Sequence, residues 1–239
     1  MQTKVALLLI ATGQKYRDYA KKLMVSADEF FVPHDTIIFT DDTLDFTDEE
    51  GMGRPGITTC RYDDQGYPQA SYRRYHAFSC AWELLSTYDY VFYCDVDMRF
   101  VAPIEASEIC SNGITATEHP GYVGLTGTPE RRKESTAYCA LPRTYFCGGF
   151  NGGATGPFLS MARTIKMAID EDDKNGVQAV WVDESHLNRY LFDNPPSKIL
   201  SPSFCYPEGA GEHYQAIWAR AGRTGITPRL VALEKGPRC

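Results

Sequence analysis

The sequence predicts an α/β protein built on a parallel sheet. Three observations carry that reading. Two continuous apolar runs, Lys4 to Thr12 (KVALLLIAT) and Thr36 to Thr40 (TIIFT), have the look of strands buried on both faces. Between them Tyr16, Ala20, Leu23, Ala27 and Phe30 recur at helical spacing. A third apolar run, Tyr90 to Cys94, ends directly in Asp95-Val96-Asp97. Strand, helix, strand in this order starts a parallel sheet crossed by helices.

The remaining elements follow in chain order. Residues 42–70 are rich in Asp, Gly and Pro and read as an irregular excursion with one short strand, Ile57 to Tyr62. Ser71 to Ser86 reads as an amphipathic helix through Tyr75, Phe78, Trp82 and Leu85. Residues 112–156 carry many Gly, Thr, Tyr and His and predict short strands and loops around a site. Pro157 fits the first residue of a helix bearing Phe158, Met161, Ile165 and Ile169. Val177 to Val182 is strand-like, and Asp183 to Phe192 reads as a short helix stopped by Asn194-Pro195-Pro196.

Composition narrows the function. The 239 residues fit one substantial α/β domain, and 43% hydrophobic with 23% charged residues excludes disordered, collagen-like and coiled-coil classes. Lys+Arg of 24 against Asp+Glu of 31 gives a net charge of −7, poor for binding nucleic acid or an anionic membrane. An anionic substrate must then be met locally, by a metal ion or a few placed Arg and Lys. The 8 cysteines include no C-x-x-C pair, which disfavours a zinc cluster and leaves free buried thiols as the expectation. No apolar run approaches the roughly 18 residues of a membrane span. No asparagine begins an N-x-S/T acceptor site. A cytoplasmic protein without a transmembrane segment is expected.

Asp95-Val96-Asp97 is the strongest chemical signal. Ligands of open α/β sheets sit at the carboxyl ends of strands. Two carboxylates there supply hard oxygen ligands for Mg²⁺ or Mn²⁺, and such an ion can bridge a diphosphate and stabilise a departing nucleotide. The ordinary alternative is two solvated acids at a strand end. A second acidic pair, Asp183-Glu184, stands in WVDESHLNRY. It could merely complement a helix dipole. Trp181 beside it is a sugar-stacking platform, and a carboxylate there suits an oxocarbenium-like transition state. Tyr145 to Gly153 (YFCGGFNGG) carries four glycines in six positions, either a close backbone approach to a ligand or a mobile loop or tight hairpin. His119 in EHPGY reads first as a turn histidine, and Arg73-Arg74 as solvated surface with room for an anionic partner.

Together these segments resemble glycosyltransferase family 6, the family of the ABO blood-group transferases and the α-1,3-galactosyltransferases. The resemblance is densest in FYCDVDMRF (92–100), TEHPGY (117–122), PERRKESTAY (129–138), CGGFNGG (147–153), NGVQAVWVDESHLNRYL (175–191) and KILSP (198–202). It implies a GT-A-type nucleotide-sugar-binding fold with a mostly parallel central sheet. It further implies one catalytic domain over 1–239, with a UDP-binding half (1–100) and an acceptor-binding half with a basic tail (101–239). The short bacterial or phage-type members are its nearest pattern.

Residue by residue, the resemblance puts Mn²⁺ (with Mg²⁺ the alternative) on Asp95 and Asp97, and the UDP donor's diphosphate on these with Val96. Uridine falls to Ile10, Ala11, Thr12 and Tyr16, and the donor sugar to Arg74 and Asp183. The acceptor falls to His119, Thr128, Trp181 and Glu184, with Glu184 also the catalytic nucleophile or back-face stabiliser. Donor choice falls to Cys147, Gly148 and Gly149. The blood-group A enzyme has Gly at the position matching 149 and its B counterpart Ala, so UDP-GalNAc is expected over UDP-Gal. The tail residues Arg229 and Lys235, with Arg238, are expected to close over the diphosphate, and deletion of 228–239 to leave the fold intact. One departure stands out: where the family has an acid after LSP, this chain has Pro207 or Glu208. The implied reaction is retaining transfer of GalNAc or Gal from a UDP-sugar to the 3-hydroxyl of a galactose-terminated acceptor, fucosylated or not. A Mg²⁺-dependent phosphohydrolase using the D-x-D pair and a carbohydrate-binding module built on Trp181 are the rival readings.

Overall fold

The computed structural model describes residues 3–47, 53–66, 68–140 and 144–234. The first apolar run is β1 (Val5–Ala11), followed by α1 (Gly13–Phe30) and β2 (Asp35–Thr40). After the irregular excursion come β3 (Ile57–Arg61) and three short helices, α2 (Gln69–Tyr72), α3 (Arg74–Cys80) and α4 (Trp82–Leu85). Next are β4 (Tyr90–Cys94), β5 (Met98–Phe100), α5 (Ala106–Ile109) and β6 (Ile114–Glu118). The last stretch holds β7 (Phe146–Ala154), α6 (Thr155–Lys174), α7 (Val182–Asp193), β8 (Lys198–Leu200), β9 (Tyr206–Pro207), α8 (Glu212–Arg220) and β10 (Leu230–Ala232).

The seven-stranded sheet runs β3-β2-β1-β4-β7-β6-β8. It is parallel except where β7 pairs with β4 and β6. Both faces of its centre are covered, which is why β1 and β4 read as unbroken apolar runs. Leu7 and Leu9 pack with Leu23 and Ala27 of α1 on one face. Ala6 and Leu8 pack with Phe78 of α3 and Phe158 of α6 on the other.

The glycine run overturns the loop or hairpin reading. Residues 146–154 form a strand that is buried almost throughout. A Cβ at Gly152 would sit 2.3 Å from the Val91 carbonyl oxygen and 2.5 Å from Phe92 Cδ1. Gly153 has φ +130°, and a Cβ there would meet the Gly113 carbonyl oxygen at 2.1 Å. These glycines let neighbouring backbones close on β7. Gly152→Ala is therefore expected to cost at least the roughly 1–3 kcal/mol of an overpacked core, because backbone cannot rotate aside. At about 2–4 °C per kcal/mol for a chain of this size, thermal unfolding would register it. An unchanged melting temperature would show that β4 gives way instead.

Three further expectations are corrected. The helix over Ser71–Ser86 is broken at Arg73 and Ala81, whose ψ values of 6° and 18° leave the helical range. Val177 to Val182 is no strand: the segment turns, and Val182 takes φ +39° as α7 begins. The helix expected to start at Pro157 begins two residues earlier, at Thr155. Of the described cysteines only Cys94, Cys139 and Cys147 are buried, and Cys80 is exposed, against the expectation of buried thiols throughout.

The tail is no free basic arm as far as residue 234. β10 is the middle strand of a second, three-stranded sheet, β5-β10-β9, and Leu230 is fully buried. Deleting 228–239 would remove that strand, so tail and fold do not separate there. Arg229 pairs with Glu108 at 3.0 Å and also donates to the Pro103 carbonyl. Lys235 and Arg238 lie outside the described residues. Among the described residues no helix is long and apolar enough to cross a membrane.

Candidate active site

A cavity of about 320 Å³ opens at the carboxyl ends of β1 and β4. Ile10, Thr12, Tyr16, Asp95, Val96 and Asp97 line it, together with Lys15, Asp64, Ser71 and Tyr93. Of the residues expected around uridine, only Ala11 stands back from the wall, fully buried. Two parallel strands ending side by side produce the crevice.

Asp95 is held as it leaves β4. Its N–H donates to the Gly149 carbonyl at 2.8 Å, and Tyr93 Oη donates to its Oδ1 at 2.5 Å. Asp97 is 8% exposed, and its carbonyl accepts from the Leu233 N–H at 2.9 Å, just past β10. The pair offers hard oxygens of the kind Mn²⁺ and Mg²⁺ accept. Among the described residues no three His, Cys, Asp or Glu side chains converge into a closed site. Asp95 and Asp97 by themselves would leave most of an ion's coordination shell to diphosphate and water.

A second groove adjoins the first and shares Asp95 and Ser71 with it. Its walls include Arg74, Gly148, Gly149, Trp181, Asp183 and Glu184. The break at Arg73 splits the two arginines. Arg73 Nη2 reaches Asp173 of α6 at 2.5 Å, whereas Arg74 is 5% exposed and turns inward. Arg74 Nη1 donates to the Gly148 carbonyl at 3.0 Å and lies 3.4 Å from Asp95 Oδ1. Its guanidinium stands over the Tyr93 ring at 4.4 Å. The solvated-surface reading of Arg74 is thereby overturned.

The start of α7 supplies both acids. Asp183 Oδ2 is 2.9 Å from Arg74 Nε, but that N–H points to the Ser71 carbonyl, so Oδ2 has no aligned donor. Burial pushes the Asp183 carboxyl up to about 6 against the pull of Arg74. Glu184 Oε2 accepts from the Gly148 N–H at 2.9 Å, and burial pushes its carboxyl up to about 7. Two solvated acids at a helix start would titrate low, so the dipole account does not describe this pair. Val182 lies just before them at φ +39°, a costly conformation for a β-branched residue.

His119 caps the turn Pro120–Tyr122, its Nδ1 accepting from the Gly121 N–H at 3.1 Å. Burial holds its pKa down to about 4, so the ring is neutral with its proton on Nε2. Its ring lies 4.7 Å from Tyr122 and 5.7 Å from Tyr145. Tyr145 in turn stands beside Thr128 and Glu184, and its hydroxyl finds no well-aligned partner among the described residues. Trp181 is 49% exposed at the rim. Cys147 is buried in β7 next to Cys205. Arg229 lies on neither wall, and Glu208 accepts from the Glu234 N–H at 3.0 Å.

Sequence reasoning missed several of these groups. Tyr93 and Tyr145 carried no signal beyond apolar strand character. Asn188 did: it follows Glu184 by four on a helical face. Its amide brackets Phe146, accepting from the N–H and donating to the carbonyl, both at 2.8 Å, and so fixes α7 on β7.

The chain matches the glycosyltransferase family 6 model over residues 1–218. It is 33% identical over 219 residues to the histo-blood group ABO system transferase 1 of Rattus norvegicus, covering 86% of this chain and 62% of that one. It is 31% identical over 215 residues to the globoside alpha-1,3-N-acetylgalactosaminyltransferase 1 of Homo sapiens, covering 85% and 61%. With the O-antigen biosynthesis glycosyltransferase WbnI of Escherichia coli it shares 27% over 220 residues, covering 89% and 92%. The chain thus spans under two thirds of the mammalian relatives' length. The seven-stranded, mostly parallel sheet agrees with a GT-A-like glycosyltransferase fold. The chain belongs to glycosyltransferase family 6.

Proposed function

We propose that the protein is a metal-dependent retaining glycosyltransferase. It would move GalNAc, or galactose, from the UDP-sugar to the 3-hydroxyl of a galactose-terminated acceptor in α linkage. One observation carries the reading: the Asp95–Asp97 wall adjoins the Asp183–Glu184 pair across Gly148 and Arg74. A diphosphate on the first wall leaves the anomeric carbon of its sugar before the second.

Bound Mn²⁺ would supply charge to offset the leaving UDP. Ile10, Thr12 and Tyr16 would hold uridine. Asp183 Oδ2 would accept a hydroxyl of the donor sugar, with Arg74 keeping that carboxylate charged. As the bond from C1 to the diphosphate oxygen breaks, its electrons leave with UDP. Glu184 then either bonds to C1 or balances its positive charge. The acceptor O3 would then bond to C1 from the face UDP left, the C1–Glu184 bond breaking with its electrons returning to the carboxylate where that bond had formed, and would yield its proton to the departing phosphate. His119 and Trp181 would seat the acceptor galactose. A screen of UDP-, ADP- and GDP-sugars against lactose and fucosylated lactose, with and without Mn²⁺, tests the whole reading. Transfer from no donor would end it.

Donor choice carries its own expected result. A Cβ at Gly149 would meet Met98 Sδ at 3.3 Å, Asp95 Oδ2 at 3.4 Å and Cys205 Sγ at 3.6 Å. The space beside Gly149 is therefore bounded by sulfur and by Asp95 itself. We expect UDP-GalNAc to be preferred, with some use of UDP-Gal, since discrimination on one small group is worth only about 1–3 kcal/mol. Gly149→Ala should shift the ratio toward UDP-Gal and also lower turnover with both, because its methyl crowds Asp95. Competition between the donors at equal concentration reads the ratio. A wild-type preference for UDP-Gal would remove Gly149 as the determinant.

A further inference from the structure

The segment around PERRKESTAY has no part in the chemistry above, yet two deeply buried carboxylates meet there, Glu130 from the segment and Asp172 from α6. Asp172 of α6 is fully buried and accepts from Ser135 Oγ at 2.5 Å and the Thr136 N–H at 2.6 Å. That fastens the segment to α6. Glu130, 2% exposed, reaches the other way. Its Oε1 accepts from the Arg132 N–H at 2.9 Å and from Arg132 Nε at 3.0 Å. Its Oε2 accepts from Arg132 Nη2 at 2.8 Å and from the Val180 N–H at 2.7 Å. Arg132 Nη2 also donates to the Gln178 carbonyl. Burial alone would raise the Glu130 carboxyl, but the hydrogen bonds from Arg132 and Val180 hold it down at about 2.

This ionic latch lies beneath an exposed apolar pair, Val180 at 55% and Trp181 at 49%. Val180 is the last residue before Trp181, the left-handed step at Val182 and the acids of α7. Where Val180 is pinned therefore decides where the indole stands. Trp181 is held from the other side by its N–H, which donates to Ser185 Oγ at 3.1 Å.

We propose that Glu130 is a positioning residue for the acceptor: through Val180 and Arg132 it fixes the Trp181 platform without touching either substrate. The assignment rests on the acceptor role proposed above for Trp181. Charge-assisted hydrogen bonds to a buried carboxylate are strong, and neutralising Glu130 weakens every bond it accepts from Arg132 and Val180. Glu130→Gln turns an amide NH₂ toward Arg132 or the Val180 N–H, so one donor loses its acceptor. Glu130→Asp keeps the charge on a shorter arm.

The test compares these variants with the wild type on two readouts. The first is kinetic. Glu130→Gln should raise the acceptor KM about tenfold, the scale of one lost buried hydrogen bond to a charged group. UDP affinity and donor hydrolysis without acceptor should stay within a factor of about two, inside the error of such a comparison. Glu130→Asp should fall between. The second readout is ¹⁹F NMR of protein labelled with 5-fluorotryptophan, which has 3 tryptophans. The Trp181 resonance is identified by its loss in Trp181→Phe. In Glu130→Gln it should shift or broaden, while buried Trp218 and distant Trp82 stay put. An unmoved Trp181 line, an equal movement of Trp218, or an unchanged acceptor KM would overturn the assignment. A wild-type protein that transfers no sugar would sink the proposed function instead, and the Trp181 line alone would then decide the latch.

Discussion

Glu184→Gln is expected to bind UDP with near-normal affinity and to transfer sugar about 10²- to 10³-fold more slowly, the scale set by losing one preorganised electrostatic group. Glu184 lies on the groove beyond Gly148 and is absent from the wall where uridine and the diphosphate would bind. On the proposed mechanism its charge is needed as C1 becomes electron-poor, so the loss should fall on kcat rather than KM. Glutamine keeps the size and can still accept from the Gly148 N–H, so the strand–helix contact survives. The pH profile is a second readout. Burial raises this carboxyl to about 7, and only its ionised form can attack or stabilise C1. Ionisation grows as pH rises through that value, so kcat/KM should rise through about 7 in the wild type and lose that limb in Glu184→Gln. A collapse of UDP affinity in the variant would make Glu184 structural. A flat wild-type profile would remove it as the titrating group.

Chelation is expected to abolish transfer and Mn²⁺ to restore it, with Asp97→Asn losing at least 10²-fold, again on the scale of a removed electrostatic stabiliser. The cavity wall explains the size. Asp64, Asp95 and Asp97 face it with Lys15 as the one basic residue among its described lining. Three carboxylates repel a diphosphate, and a divalent cation between them offsets that repulsion. Asparagine at 97 would retain an oxygen ligand but not the charge. Asp97 also carries the backbone contact to Leu233, which asparagine leaves untouched. Full activity in excess chelator would align this protein with metal-free chemistry and leave the acidic wall to another task.

Local chemistry was legible wherever one chain segment determines its own environment. The apolar runs announced β1, β2 and β4 because a strand covered on both faces has no polar position to show. Asp95 and Asp97 were legible because they follow such a strand. The order of motifs from FYCDVDMRF to WVDESHLNRY marked the family. Features that depend on a distant partner were not legible. Gly152 and Gly153 read as a loop, since nothing near them in sequence says that Val91 and Gly113 press against their α-carbons. Arg74 read as surface because its carboxylate, Asp183, lies more than a hundred positions away. The amphipathic stretch from Ser71 to Ser86 kept its period through two breaks, because burying Arg74 while Arg73 reaches α6 outweighs a continuous helix. The basic tail read as free because the partners of β10, the strands β5 and β9, lie elsewhere in the chain. By itself the sequence determined β1, β2 and β4, the acids and the family, all of them written in residues adjacent along the chain. Tertiary structure alone decided which acid is desolvated, which arginine is buried and which glycine is crowded, since each depends on side chains that meet only after the sheet has formed.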